Sequence, residues 1–526
     1  MIGLVFGKAT NTSFSFTVNP NNIPKFGEFV VTENRDGETV LGVVKEVANL
    51  NKLIESEDFS FEYLLRHVGF SKSLIEMNDI VVATAKVLGI VDGNDIKPNR
   101  VPIKPSSEVR LADDSLLQNL FRGDENSIVV GNLLARENVE VGLDVKELVL
   151  RHFAILSVTG GGKSNTACVI MDQIVRKFNG TVVLIDPHGE YVNFTFSDGS
   201  CKRRNVLPVG IRPETLEPWE FASLLGISRE ANVQRLHLER MFTTAKYEGY
   251  SGKSFVDRIL EITESWIEIA EDNGEIEFYD YKGLKKFARV SRQRDLDSLL
   301  RVRDYIIRFL SNYSDLLTEN DVLANMRTGF LNVVNLSGFD ENQMRIIVAY
   351  ILRNILKGRI RFKRGDVNSK RICPIVEAPV LIVIEEGHIF APKNDDSEVV
   401  KWLSRIAREG RKFGVGIGII SQRPKKLNDD ILSQCNTKII LKIVEPNDQR
   451  YVQQASEQIS EDLLNDISSL GRGEAVIVGS AVKLPVAVKI KKYPDGYYGG
   501  GDIDVVEEWR KVRERAEVFR NLDLIV

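Results

Sequence analysis

The sequence predicts an α/β protein built on a largely parallel sheet and preceded by a small β-barrel domain. Three observations predict it. From Leu148 onward, aliphatic strands alternate with long helical patterns, the rhythm of a parallel sheet. One of those strands, Phe153–Val158, runs through a glycine loop and Lys-Ser into a helix at Thr166–Phe178. Before about residue 130 the chain instead shows short alternating runs between turn signals, the pattern of an antiparallel barrel or sandwich.

Within residues 1–130 the predicted strands are Ser13–Val18, Gly27–Thr32, Thr39–Val47, Ile80–Leu88 and Ser127–Val130, with one helical segment at Phe61–His67. Residues 131–212 and 325–492 are assigned to the α/β core. Its strands are expected at Phe153–Val158, Thr181–Ile185, Leu331–Leu336, Val380–Ile384, Gly416–Ser421, Lys438–Ile443 and Glu474–Val478. Residues 213–324 read as nearly all helical, with stripes over Ser254–Ala270 and Leu296–Tyr313. They are predicted to form an inserted helical subdomain, the alternative being helices packed on the sheet. A Gly/Tyr linker at Tyr493–Gly501 leads to a docking helix with Val505, Trp509, Val512, Ala516 and Phe519 on one face. That helix can dock on its own subunit or on a neighbour.

Composition bounds the function. The 526 residues carry 70 Lys+Arg against 74 Asp+Glu, a net charge of −4, with 43% hydrophobic residues. This excludes a disordered chain and a DNA coat protein, but not a local basic channel. Four dispersed cysteines argue against a zinc ribbon or a disulfide scaffold. No signal sequence and no apolar run near the ~20 residues of a membrane span is visible, so a cytoplasmic protein is expected.

The glycine loop carries the chemistry. Thr159, Gly160, Gly161, Gly162, Lys163, Ser164 and Asn165 form the expected ATP-binding segment, a P-loop. Glycines let backbone N–H groups turn inward around phosphate, Lys163 reaches the β/γ-phosphates, and Ser164 ligates Mg²⁺. Ser157 replaces the first glycine of the usual pattern. A second Gly-Lys-Ser, within Gly249–Ser254, follows a helix instead of a strand and is read as a helix-to-helix loop.

The strand Val380–Ile384 ends in Glu385 and Glu386, expected to hold Mg²⁺ and to polarise the attacking water respectively. No Asn-Lys-x-Asp base-reading motif is present, which favours ATP over GTP. Gln422, at the end of the next strand, is a candidate γ-phosphate sensor. Asp186 and Glu190, at another strand end, either support the residues that touch the nucleotide or cap the following turn, and His188 is structural or functional. Arg151, Arg405, Arg408 and Arg411 are candidates for arginines acting on a neighbour's γ-phosphate. Eight of the 19 residues between Arg353 and Arg371 are basic. Arg359, Arg361, Lys363 and Arg364, with Arg423, Lys425 and Lys426, are the candidate DNA contacts, and Lys202–Arg204 forms a third patch.

Together, the N-terminal β domain, Val-Thr-Gly-Gly-Gly-Lys-Ser-Asn, Asp-Pro-His-Gly-Glu-Tyr, Ile-Glu-Glu-Gly-His-Ile-Phe-Ala-Pro and Arg-Glu-Gly-Arg-Lys-Phe-Gly…Ser-Gln-Arg-Pro resemble the HerA family of FtsK-like DNA translocases. The resemblance covers nearly the whole chain. It implies a homohexamer with a HAS-barrel-like domain, a RecA-like motor with a helical insertion, and C-terminal extensions bracing neighbours. It also implies ATP-driven movement on double-stranded DNA, and partnership with the NurA nuclease in end resection alongside a second break-processing nuclease complex. Lys163, Ser164, Glu385, Glu386 and Gln422 match the family's functional positions, with Arg151, Arg411 and Arg408 as trans-acting arginines. The rival readings are a secretion or conjugation ATPase at a membrane, and an ATP-gated DNA clamp that recruits a nuclease.

Overall fold

A computed structural model describes residues 1–51, 79–318, 321–455 and 467–499, with Val506 and Arg510. The helix expected at Phe61–His67 lies outside the described residues, as does the C-terminal docking helix apart from Val506 and Arg510. Two compact units emerge: Met1–Val182 with Val348–Lys492, and Val183–Ile347 with the described residues from Tyr493.

The first unit begins with β1 (Gly3–Phe6), β2 (Ser13–Val18), β3 (Phe29–Glu33), β4 (Thr39–Asn51), β5 (Asp79–Asp92), β6 (Asp95–Lys97) and β7 (Glu108–Leu111). The order β2-β1-β7-β3-β4-β5 closes through a β2–β5 pairing, and β6 extends β5. This is a six-stranded barrel, as expected. Alternation drives it: along β2, Phe14, Phe16 and Val18 point inward to meet Val30, Val40, Val44, Ala83, Ala85 and Val109. Register shifts at Leu41/Gly42 and Val44/Glu46 mark irregularities in the long β4, the kind of break that bends a strand around a small barrel.

The later strands are β8 (Ser127–Leu133), β9 (Arg136–Asp144), β10 (Phe153–Leu156), β11 (Thr181–Asp186), β12 (Arg204–Leu207), β13 (Glu275–Tyr279), β14 (Lys285–Arg289), β15 (Leu331–Asn335), β16 (Val380–Ile384), β17 (Val415–Ser421), β18 (Thr437–Leu441), β19 (Glu474–Val478) and β20 (Val486–Ile490). In the first unit they run β16-β17-β10-β18-β19-β20-β8-β9. The first four are parallel and the remainder antiparallel. β10, β16 and β17 are buried along their whole length, which is why they read as unbroken aliphatic runs. Gly418 lets Phe153 lie against β17, since a Cβ there would sit 2.3 Å from the ring.

Ser127–Val130, grouped by sequence with the barrel, instead belongs to this larger sheet. β8 pairs with β20, and Gln173 of the helix Lys163–Phe178 brackets Val129 with two hydrogen bonds, of 2.9 and 2.7 Å. Alternation reveals a strand but not the sheet it joins.

The second unit holds β12-β15-β11 and three long helices, Asn232–Tyr247, Gly252–Glu271 and Leu296–Tyr313. Phe221, Phe242, Phe255 and Phe309 interlock at their centre. The nearly all-helical expectation for residues 213–324 misses the β13–β14 hairpin, whose mixed apolar and charged residues hide its alternation. The second Gly-Lys-Ser does lie where one helix ends and the next begins. Residues 493–499, expected as a free linker, are docked. Tyr493 stacks on Phe194 and donates from its hydroxyl to the Thr195 carbonyl, and Tyr498 stacks on Tyr191.

Candidate functional site

The site grows from three neighbouring parallel strands of the first unit, β16, β17 and β10. Parallel strands of such a sheet present their C-terminal ends together, so residues distant in sequence converge there.

After β10 the chain continues the ladder for two residues, with Ser157 N bonded to Ser421 O and Val158 N to Lys442 O. It then turns through Gly160 (φ 75°) and Gly162 (φ 109°), conformations that glycine adopts without a Cβ penalty. Gly162 caps the helix Lys163–Phe178, so the loop delivers the helix's free N–H groups to one point. Ser157, in the place of the first P-loop glycine, is buried and donates from its hydroxyl to the Val158 carbonyl. A Cβ on Gly161 would lie 2.0 Å from that hydroxyl oxygen, so the serine has taken space that only Gly161 leaves open.

Lys163 is buried, with its Nζ 3.5 Å from Oε1 of Glu386, itself buried. Glu386 sits at φ 48°, a left-handed conformation uncommon for a non-glycine. The bonds Gly387 N to Ile420 O and Ile389 N to Glu386 O hold that turn. Its Oε2 makes no hydrogen bond, although His388 Nδ1 lies 3.2 Å away. Burial pushes the Glu386 carboxyl up, but His388 and Lys163 together outweigh it and hold the group below the usual range. Glu385 is also buried, at the end of β16. Gln422 Oε1 accepts a 2.6 Å hydrogen bond from the Thr159 hydroxyl, tying the sensor candidate to the P-loop. Ser164 is half-buried in the first helical turn, and Asn165 donates to the Lys491 carbonyl.

The other sequence candidates are dispersed. Arg151 pairs with Glu147 at 3.0 Å. Arg408 and Arg411 are exposed on the helix Glu398–Phe413, while Arg405 pairs with Glu409 and covers Trp402. Arg361, Lys363, Arg364, Arg423, Lys425 and Lys426 are all exposed. Arg359 corrects the expectation. It is 3% exposed and donates to the carbonyls of Phe413 (2.9 Å) and Val376 (2.7 Å), so it cannot reach a DNA phosphate. In the second unit, Asp186 takes the backbone N–H groups of Gly189, Glu190 and Tyr191, the turn-capping alternative. Glu190 receives Gly499 N on its carbonyl. His188 is exposed. The residue the sequence reading passed over is His388. Its one signal was its position two residues beyond Glu386.

The family model described as "Helicase HerA, central domain" matches residues 128–355, and that described as "HAS barrel domain" matches residues 2–93. The chain is 41% identical to the DNA double-strand break repair helicase HerA of Pyrococcus furiosus, over 99% of both chains. It belongs to the HerA helicase family. A probable DNA double-strand break repair helicase HerA from Methanocaldococcus jannaschii is 42% identical, over 96% of this chain and 98% of its own. Among solved structures, VirB4 of Thermoanaerobacter pseudethanolicus aligns with a TM-score of 0.48 at 16% identity, covering 71% of this chain and 99% of its own. This HerA-family chain is a P-loop ATPase with an N-terminal HAS barrel. No described helix is long and apolar enough to cross a membrane.

Proposed function

We propose that this chain is an ATP-driven motor that moves along double-stranded DNA as a homohexameric ring during repair of broken ends. The contact between Lys163 and Glu386 carries the reading, because it places a phosphate-binding cation and a buried, ionised carboxylate at one point. On this reading Lys163 and the N–H groups of Gly160–Ser164 hold the ATP phosphates. Their arrival gives the Lys163 ammonium a new counter-charge and leaves Glu386 free to accept a proton from the attacking water. The water oxygen then bonds to the γ-phosphorus as the bond to the bridging oxygen breaks. Ser164 and Glu385 would hold Mg²⁺, their oxygen donors suiting a hard cation. Bound there, Mg²⁺ supplies neutralisation of the phosphate charge. Gln422 senses the γ-phosphate, and Arg151, Arg408 or Arg411 serves the neighbouring subunit's site.

Arg361, Lys363, Arg364, Arg423, Lys425 and Lys426 are assigned to the DNA backbone, which basic side chains bind without reading sequence. A NurA-like nuclease is the proposed partner, with a second break-processing nuclease complex acting alongside, inside the cell. ATP turnover with and without linear duplex DNA tests the motor. Stimulation by DNA, abolished by Lys163→Ala, is expected. Turnover indifferent to DNA would favour an ATP-gated clamp, and a monomer in sedimentation with ATP and DNA would remove the trans arginines.

A further inference from the structure

The acid pair is followed by a histidine whose placement the ATPase chemistry above does not use. His388 is the second residue after Glu386, across a turn fixed by backbone bonds from Gly387 to Ile420 and from Ala391 to Gly387. A Cβ on Gly387 would lie 2.5 Å from Ile419 Cγ2, so the turn presses directly on β17. That closeness brings His388 beside the strand's last residue, Ser421. Its Nδ1 stands 3.2 Å from Glu386 Oε2 and 3.5 Å from the Ser421 hydroxyl oxygen. The hydroxyl is itself anchored by Arg423 N at 3.1 Å.

The contacts form a closed circuit that starts and ends on the P-loop. Lys163 meets Glu386, Glu386 faces His388, and His388 rests on Ser421. The next residue, Gln422, accepts from Thr159. Glu386 therefore has one oxygen facing the phosphate-binding lysine and one facing the imidazole. When phosphate takes over the lysine, only the imidazole side continues to orient the carboxylate. A carboxylate on a rotatable stem activates water well only if its lone pair is held toward that water.

We propose that His388 is a positioning residue that orients the Glu386 carboxylate for water activation and couples it to the strand carrying Gln422. The proposal rests on the role of Glu386 given above. His388 touches neither phosphate nor water; it acts through Glu386, with Nδ1 as the working atom and Ser421 as its support.

The test compares three variants of the full-length chain with the wild type. His388→Ala removes the ring. His388→Asn puts an amide nitrogen where Nδ1 stands, and His388→Gln places its amide farther out, near Nε2. Steady-state ATP turnover gives kcat and KM, and binding of a fluorescent ATP analogue without Mg²⁺ gives an affinity independent of turnover. His388→Ala should lower kcat roughly 10–100-fold, the range seen when a supporting partner of a functional ligand is lost. KM and analogue affinity should stay within about twofold, because ground-state binding does not pass through His388. His388→Asn should recover most of kcat and His388→Gln much less. Should His388→Ala fail to fold, the Asn and Gln comparison decides alone. Unchanged kcat in His388→Ala, equal loss in the Asn and Gln variants, or a parallel loss of analogue affinity would each overturn the proposal. A wild-type chain that hydrolyses no ATP would instead overturn the ATPase mechanism itself, and this inference with it.

Discussion

Arg359 separates a structural cation from the DNA-facing cluster around it, and its replacement gives a quantitative test. In Arg359→Ala the carbonyls of Phe413 and Val376 lose donors at 2.9 and 2.7 Å, where the arginine itself is 3% exposed. Each buried acceptor left unpaired costs about 1–3 kcal/mol, and the lost stem packing adds to that. The expected loss is about 3–5 kcal/mol, which lowers the Tm of a unit this large by roughly 5–10 °C. The neighbouring exposed Arg361→Ala should change stability by less than about 0.5 kcal/mol. If Arg361 contacts one phosphate, its loss should lower the slope of log Kd against log salt by about 0.9. Thermal melts and salt-dependent DNA binding on both variants decide the matter. An Arg359→Ala protein that melts within a degree of the wild type yet loses DNA affinity would refute the buried-anchor assignment.

Three more outcomes follow from the site and its surroundings. Glu386→Gln should bind a fluorescent ATP analogue like the wild type while turnover falls about 10²–10⁴-fold, the contribution of a positioned general base. Gly161→Ala should weaken nucleotide binding by roughly 5–30-fold because its methyl group meets the Ser157 hydroxyl, and adding Ser157→Gly should restore most of the affinity. His152, whose Nδ1 accepts from Ile417 N, is pushed by burial from an ordinary 6.5 down to about 4. Folding therefore favours the neutral ring. The stability this represents, about 3 kcal/mol, is present above pH 6.5 and drains away as pH falls toward 4. Urea denaturation at pH 7 and pH 4.5 should show that loss, and His152→Gln should shrink it.

The parts of the fold that sequence revealed are those held by local or continuous signals. β16 and β19 were read to the residue, and the helix Leu296–Tyr313 likewise, because aliphatic runs and a 3.6-residue stripe survive without tertiary context. The nucleotide loop was equally visible, since its glycines, Lys163 and Ser164 are consecutive. β1, β6, β7, β9, β12, β20 and the β13–β14 hairpin were missed. Their polar, short or charged residues become strands only through partners supplied elsewhere, as when β20 pairs with a strand more than 350 residues earlier. Burial was the least readable property. Nothing in the run Arg359, Arg361, Lys363 and Arg364 marks the first as the one turned into the protein. His388 was hidden for a similar reason: its meaning depends on Ser421, 33 residues away.

The attachment of β8 has a practical consequence for cutting the chain. A protein begun at residue 131, where the sequence places the end of the barrel, would lose most of β8. Gly131–Leu133 would still face β20, but Ser127, Ile128 and Val129, which pair with Asp144, Leu143 and Gly142 of β9, would be gone, leaving that end of β9 without its neighbour. Gln173, in the helix that springs from the P-loop, would lose both of its hydrogen bonds to Val129. Such a truncation would damage the motor while appearing to report on the barrel. A cut placed between Leu111 and Ser127 removes the barrel's strands and leaves β8 whole, with both its neighbours paired.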